Sequence, residues 1–397
     1  MNIELEFVQG MAAIKREEWD ALAAPYECPL LSWGFLALLE ASGSICPETG
    51  WGPNHLLARR DGRLVAAAPF YLRSHSMGDF VFDFAFAQAA GELGIPYYPK
   101  LVGVVPATPS PVWRVLVAAG EDEEGLVALV IEAAAEAAKG AKLGGLHLLW
   151  VDPAAAPIVR NLVLPLAEWK HQTYLWTDPG FGDFSGYLGA FTKNMRRNVL
   201  RERSAVREAG IETRILEAGE VADRPSLLER MADFYEDTNG KFGPWGAKFL
   251  KREFFIRLPE FMGEGWILSA AFAEGDESGL PLGLAFLFRG RNRLWGRWWG
   301  SARFVDGLHF ELCYYRPIEY ALSRGIGSFD PGMGSEHKAR RGFSSLLAPS
   351  FHYACDGRMR RLFEANLPHF NEEEAALARN LDADLPWKRP QRGTSTL

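Results

Sequence analysis

One order of predicted elements runs through the chain twice within 397 residues, and this doubling constrains the fold more than any single motif. In the first half, helical periodicity covers KREEWDALAA and LSWGFLALLEAS. HLLARRDGRLVAAAPFYLR reads as a hairpin, because Asp61-Gly62 suits a two-residue turn. A loop-rich stretch follows, then the strand YPKLVGVVP, a long helix through EEGLVALVIEAAAEAAKGA and the strand LHLLWVD. In the second half, FTKNMRRNVLRERSAVREAG and LLERMADFYEDTNG read as helices with the strand IETRIL between them. The helix-like AKFLKREFFIRLPEFM precedes the strands WILSAAFAE and LGLAFLFRG, joined by a Gly-rich turn, and RLWGRWWGSA pairs back across Gly290–Asn292. HFELCYYRPIEYALSRG reads as a helix ended by Gly325, with Pro317 marking a kink or break. IGSFDPG is the next strand.

Each half therefore runs helices, an antiparallel hairpin or meander, a long helix and a strand. The expected fold class is α/β (α+β), with units spanning 1–180 and 181–370 and a C-terminal helix and loose tail over 371–397. The joint falls near TDPGFGDFSG, rich in turn residues.

Several classes are excluded. With 48% apolar and 23% charged residues, the chain is neither disordered nor collagen-like. The acidic start MNIELEF lacks the pattern of a signal peptide, and the most apolar stretch carries Glu132 and Glu136, so no membrane span is expected. Cys28, Cys46, Cys313 and Cys355 form no CxxC pair, and the histidines form no HExxH or HxH. The reading is a cytoplasmic protein with reduced thiols and no metal. A net charge of −7 argues against a DNA-binding scaffold. That charge is uneven: residues 1–180 carry 12 basic and 21 acidic side chains, residues 181–397 carry 31 and 29. The second half is the expected host for an anionic ligand.

MGDFVFDFAFA, YYPKLVGVVPATP, the basic helix from Lys193 and above all GRWWGSARFVDGLHFELCYYRPIEYALSRGIGSFDPGMGSEHKARRGF carry a resemblance. They resemble the FemAB-like family of predicted N-acyltransferases, of the GNAT superfamily, over roughly residues 1–370. The resemblance implies tandem GNAT-like acyltransferase domains, each a mixed, mostly antiparallel sheet flanked by helices. It also implies acyl or aminoacyl transfer to an amine, with a small molecule or a cell-wall precursor as acceptor. The chain departs from the family at Phe84, where Trp is usual, at Ala107, where Phe is usual, and at Pro331-Gly-Met-Gly-Ser-Glu336, where Pro-Gly-Ala-Gln-Gly-Glu is usual.

Transfer to an amine requires removal of a proton, stabilisation of an oxyanion and a neutralised leaving group. No covalent nucleophile is needed, and no G-x-S-x-G elbow is present. FDPGMGSEHKARRGF supplies candidates at the end of a predicted strand, where open α/β sheets bind ligands. Asp330, Glu336 and His337 are candidate bases, with Lys338 beside them in the catalytic set. Lys338 and Arg341 are candidates to hold a phosphate or carboxylate. Candidate substrate-binding residues are Arg341, Arg303, His309, Glu311 and Trp299, with Tyr98 and Lys100 from the first half. Glu311 is also explained by its place near a helix N-terminus. On a helical projection Lys193, Arg196, Arg197, Arg201, Arg203 and Arg207 share a face roughly 160° wide. Lys193, Arg196, Arg197 and Arg201 are the candidate anion-binding set. Strand alternation places Trp298 on one side of the sheet and Trp295 and Trp299 on the other. Asp83, within an apolar run, requires a partner, and Lys100 is the candidate.

The donor stays open between acyl-CoA and aminoacyl-tRNA, with no permanently bound cofactor expected. Arg297-Trp-Trp-Gly300-Ser-Ala302 fits the pyrophosphate loop of acetyl-CoA enzymes, but the following helix starts too late for a tight cradle. Two other readings remain: a non-catalytic peptidoglycan-fragment recognition protein, and a first half that is only a structural partner. The oligomeric state is unknown.

Overall fold

The computed structural model describes residues 3–241, 247–275 and 279–388. In chain order the first half contributes β1 (Ile3–Val8), β2 (Trp51–Pro53), β3 (His55–Arg60), β4 (Arg63–Ala68), β5 (Phe70–Arg73), β6 (Lys100–Gly103), β7 (Leu116–Val117), β8 (Gly145–Leu148) and β9 (Ala167–Thr177). The second contributes β10 (Ile211–Glu217), β11 (Trp266–Ala273), β12 (Gly283–Arg289), β13 (Arg293–Ser301), β14 (Ser328–Asp330) and β15 (Ser344–Ala354). β1, β3, β4 and β7 form a small antiparallel sheet. The others form one sheet in the order β10-β11-β12-β13-β14-β9-β15-β8-β6-β5-β2. Only β13–β14 and β6–β8 are parallel among its described pairings, one parallel pair in each half. This is a mixed α/β fold built from two halves that share one sheet.

Local chemistry explains most elements. The β3–β4 hairpin turns through Asp61 and Gly62, both at positive φ (50° and 78°), as a two-residue turn compatible with strand twist requires. The Ala-rich helix Glu123–Gly140 starts at Asp122, whose carboxylate accepts from the Gly125 N–H over 3.1 Å, and it buries Val130, Ile131 and Ala134. Pro317 does disturb its helix. The proline has no N–H and crowds the preceding turn, and the chain widens into a π-helical turn over Glu311–Tyr315 before Arg316–Arg324 resumes. Gly325 at φ 66° ends it.

Four expectations are corrected. β9 and β15 were not anticipated, and they join the halves: β15 pairs with both β8 and β9, and β9 pairs with β14. The C-terminal helix starts at Gly357 rather than 371 and runs to Ala383. Asp356 caps it, and Pro368 sits inside it, which breaks the sequence pattern. AKFLKREFFIRLPEFM forms two short helices, Arg252–Ile256 and Leu258–Met262. Residues 82–87, an apolar run, enter the helix Phe84–Glu92. The Gly-rich turn between β11 and β12 and the loose tail lie partly outside the described residues, at 276–278 and beyond 388.

Apolar packing also crosses the joint. Phe35 of the first half meets Phe254 and Phe288 of the second edge-on, at 6.2 and 5.1 Å between ring centroids. Among the described residues no helix is long and apolar enough to cross a membrane.

Candidate active site

The parallel strands β13 and β14 are in register only at Arg293↔Ser328, Leu294↔Phe329 and Trp295↔Asp330. Beyond Trp295 they part, and a cleft of about 390 Å³ opens between them. Gly296, Trp299, His309, Tyr314, His337 and Lys338 are among its lining residues. Facing β12, β13 carries a bulge: Leu287 pairs with Gly296 and Phe286 with Trp298, so Arg297 is the extra residue. The bulge breaks the alternation expected for the tryptophans. Trp295 and Trp298 both pack in the inter-half core, whereas Trp299 lies on the opposite side with the second-half core.

Arg297 turns its guanidinium to Asp330, with N···O distances of 3.2 and 3.3 Å, and to Thr108 of the first half. The guanidinium is thus engaged inside the protein, and residues 297–301 lie within β13 rather than in a loop that opens a helix. Asp330, 3% exposed, also accepts from Ser110 Oγ at 2.6 Å and from the Gly332 N–H at 2.8 Å. Both carboxylate oxygens are occupied. Burial pushes this carboxyl upward, but Arg297, Ser110 and the Gly332 amide outweigh it and the net direction is down. Asp330 stays ionised and holds the loop that leaves β14.

Gly332, at φ 79°, gives its N–H to Asp330 and turns its carbonyl to Lys338. Lys338 is 4% exposed; its Nζ donates to the Gly332 carbonyl over 2.9 Å and to that of Met333 over 2.5 Å. Burial pushes its pKa down to about 7, against the pull of Asp330. A lysine in this state holds and releases a proton near neutral pH.

His337 hydrogen-bonds through Nε2 with Tyr314 Oη at 3.1 Å and through Nδ1 with Ser335 Oγ at 2.7 Å. Burial, then Arg341 and Lys338, lower its pKa to about 4. His309 packs against Trp299 with centroids 4.5 Å apart and the rings tilted by 47°, and burial with His337 nearby lowers its pKa to about 3. Both imidazoles are neutral at pH 7.

The other expected site residues are placed elsewhere. Arg341 is buried, its guanidinium 3.4 Å from the Phe310 ring centre; it donates to Tyr315 Oη, Glu202 and the His337 carbonyl, at 2.8, 2.8 and 2.9 Å. Glu311 is buried against Arg203, at 2.9 and 3.0 Å. Arg203 also binds Glu319, so one cation of the basic helix Lys193–Glu208 is internally neutralised. Lys193, Arg197 and Arg201 are exposed and Arg196 is half-buried; none of the four makes an ion pair among the described residues. Glu336 and Arg303 are exposed and do not line the cleft. Tyr98 and Lys100 belong to a separate buried cluster. There Lys100 Nζ meets Asp83 at 2.6 Å and Ser76 Oγ at 2.8 Å, Arg73 pairs with Asp79 at 2.8 Å, and Tyr98 Oη meets Ser76. Asp83 thus has the partner its burial demands.

The first half's parallel pair is closed where β13 and β14 are open. Past Gly103, Trp113 lies alongside: its N–H bonds the Trp150 carbonyl at 3.0 Å, and its carbonyl accepts from Asp152 at 2.8 Å. Sequence reasoning did not reach Thr108, Ser110 or Tyr314. Thr108 lies within the VVPATP motif and Ser110 directly follows it, but their partners lie in the other half.

The sequence pattern of the FemAB-like family, described as peptidoglycan biosynthesis/recognition, matches residues 10–389. No curated protein sequence matches the chain. Among solved structures, FemX matches with a TM-score of 0.53 at 13% identity, covering 92% of this chain and 100% of its own. The C-terminal domain of a putative lysylphosphatidylglycerol synthetase from Agrobacterium fabrum matches at 0.52 and 12% identity, covering 90% and 94%. A conserved protein of unknown function from Bacteroides thetaiotaomicron matches at 0.52 and 10%, covering 88% and 100%. At these identities the structures attest the fold, and the family match spans nearly the whole sequence: the chain belongs to the FemAB-like family of peptidoglycan biosynthesis/recognition proteins.

Proposed function

We propose that the chain is an acyltransferase that moves an acyl or aminoacyl group from an activated donor to an amine in the cleft between β13 and β14. The observation that carries this reading is the placement of Lys338, buried in the wall of that cleft with Nζ on the Gly332 and Met333 carbonyls, where burial pushes its pKa down to about 7. An amine nucleophile must shed a proton as its bond to the carbonyl carbon forms, and the departing donor group must gain one. Neutral Lys338 takes the first proton and returns it to the leaving group. The bulge takes Arg297 out of the strand ladder. Bulges recur beside active sites, where they re-aim a residue out of the ladder. Neutral His309, packed against Trp299, faces the cleft without adding charge, and neutral His337 spends its two ring nitrogens on Tyr314 and Ser335 in the cleft wall.

Asp330 in this reading is a positioning group for Lys338. Glu336 and Arg303, both exposed, are left for an acceptor or donor that extends beyond the cleft. The family description supports a cell-wall precursor as acceptor. The exposed cations Lys193, Arg197 and Arg201, with half-buried Arg196 beside them, support a phosphate-bearing donor, either acyl-CoA or aminoacyl-tRNA.

The test is transfer by the purified full chain from each donor to a muropeptide precursor. Transfer that falls at least about 100-fold in Lys338→Met supports the reading. Undiminished transfer in that variant removes Lys338 from the mechanism. Saturable muropeptide binding without donor binding or turnover would instead favour recognition.

A further inference from the structure

A second cleft of about 220 Å³ lies between the halves, walled by Tyr26, Cys28 and Pro111 on one side and by Arg293, Trp295 and Ser328 on the other. Trp295 is 3% exposed, and its indole Nε1–H has no hydrogen-bond partner. A buried donor without an acceptor is costly, and native proteins almost always satisfy such groups. Arg293 is half-buried and donates through Nε to Ser328 Oγ at 3.0 Å, yet it makes no ion pair among the described residues. The two carboxylates at this cleft are already neutralised: Glu27 by Arg291 at 3.0 Å and Asp152 by Arg114 at 3.1 Å. One cation and one orphaned N–H are therefore left over among the residues that line this cleft.

We propose that this inter-half cleft is a binding site for a small carboxylate monoanion, held by the Arg293 guanidinium and the Trp295 indole N–H. A planar carboxylate suits a guanidinium fork and keeps a lone pair for the indole. A dianion is disfavoured, because a single cation is unneutralised and two carboxylates stand nearby. The volume of about 220 Å³ admits a small ligand of roughly ten heavy atoms. Trp295 is the register partner of Asp330, and Pro111 and Val112 directly follow Ser110. An occupant would thus brace the segment that carries Thr108 and Ser110 against β13 and β14.

The experiment uses the full chain labelled with ¹⁵N-tryptophan. The Trp295 indole signal is the one missing from Trp295→Phe, and the remaining indole signals report whether that variant is folded. Sodium acetate is the probe, with sodium chloride at equal ionic strength and sodium phosphate as the other arms. The expected result is a saturable downfield shift of the Trp295 signal with acetate, none with chloride, and at least a tenfold weaker response in Arg293→Gln. If Trp295→Phe does not fold, a rise in Tm with acetate over chloride, absent in Arg293→Gln, reads the same binding. An unmoved Trp295 signal, an equal shift with chloride, or an undiminished response in Arg293→Gln overturns the site. A stronger response to phosphate than to acetate overturns the monoanion assignment.

Discussion

Ser110 Oγ donates to Asp330 Oδ2 over 2.6 Å, joining residues 220 positions apart and on opposite halves of the chain. From there the connections run to the Gly332 amide and, through the Gly332 carbonyl, to Lys338 Nζ. A hydrogen bond to a buried charge contributes about 1.5–3 kcal/mol. Ser110→Ala should lower unfolding free energy by about that amount in urea denaturation, and an unchanged midpoint would refute the role given to this contact.

Arg297→Met should cost more, about 3–5 kcal/mol, because it leaves the Asp330 carboxylate buried without its cation. Arg297→Met combined with Asp330→Leu should recover part of the loss, since the uncompensated charge goes too. A double variant as unstable as the sum of the two single variants would contradict this.

Lys338 gives a pH dependence of definite sign. Its folded pKa of about 7 lies below the ordinary 10.5. Between those values the unfolded chain binds a proton that the native chain does not, so this group favours the native state more as pH rises from 7 to 10.5. The neutral amine that takes up a proton appears as pH rises through 7. If Lys338 is the base, kcat/KM should climb about tenfold per pH unit below 7 and level off above it. Lys338→Arg should remove both the activity and that limb.

Three buried histidines should make the protein acid-sensitive. His147 Nδ1 and His352 Nδ1 lie 2.8 Å apart, and Trp169 packs against both His352 and His171. Burial lowers all three pKa values, to about 3 for His171 and His352. Their contribution is present above pH 6.5 and is lost as pH falls below it, because only the unfolded chain takes up the protons. At pH 5 the loss is about 2 kcal/mol each for His171 and His352. Tm should drop between pH 6.5 and 5, and a flat profile would exclude this account.

The basic helix should act on anion affinity and not on folding. Replacing Lys193, Arg197 and Arg201 together by Gln should change stability by less than about 1 kcal/mol, since all three are exposed. The same triple variant should reduce the salt slope of RNA binding by about 2. An unchanged slope would place the anion contact elsewhere.

The doubled plan was legible because hairpins, capped helices and the Ala-rich helix write their periodicity into local sequence. β9 and β15 were not legible. They are central strands with neighbours on both edges, so His171, Thr173, Ser350 and His352 are buried without the polar–apolar alternation of a half-exposed strand. Pro349 further disguised β15. The segment holding Lys338 stood out by charge density, but Asp330, Glu311 and Arg341 carried the same signal and proved to be tied into internal ion pairs. What separates them is burial and partner geometry, set by residues such as Ser110 and Arg203 that lie far off in sequence. The bulge at Arg297 likewise has no local signature, and it moved Trp295 to the side of Trp298.

β15 completes the sheet that β8 leaves open, yet it is made almost 200 residues later. During synthesis the first half must therefore leave the ribosome with an unpaired β8 edge and keep it until residues 344–354 emerge. A ribosome stalled before that point would display an exposed, apolar strand edge, the kind of surface that recruits chaperones or seeds aggregation. The strand that makes the two halves one sheet thus also makes the nascent chain's vulnerable interval about half as long as the protein itself.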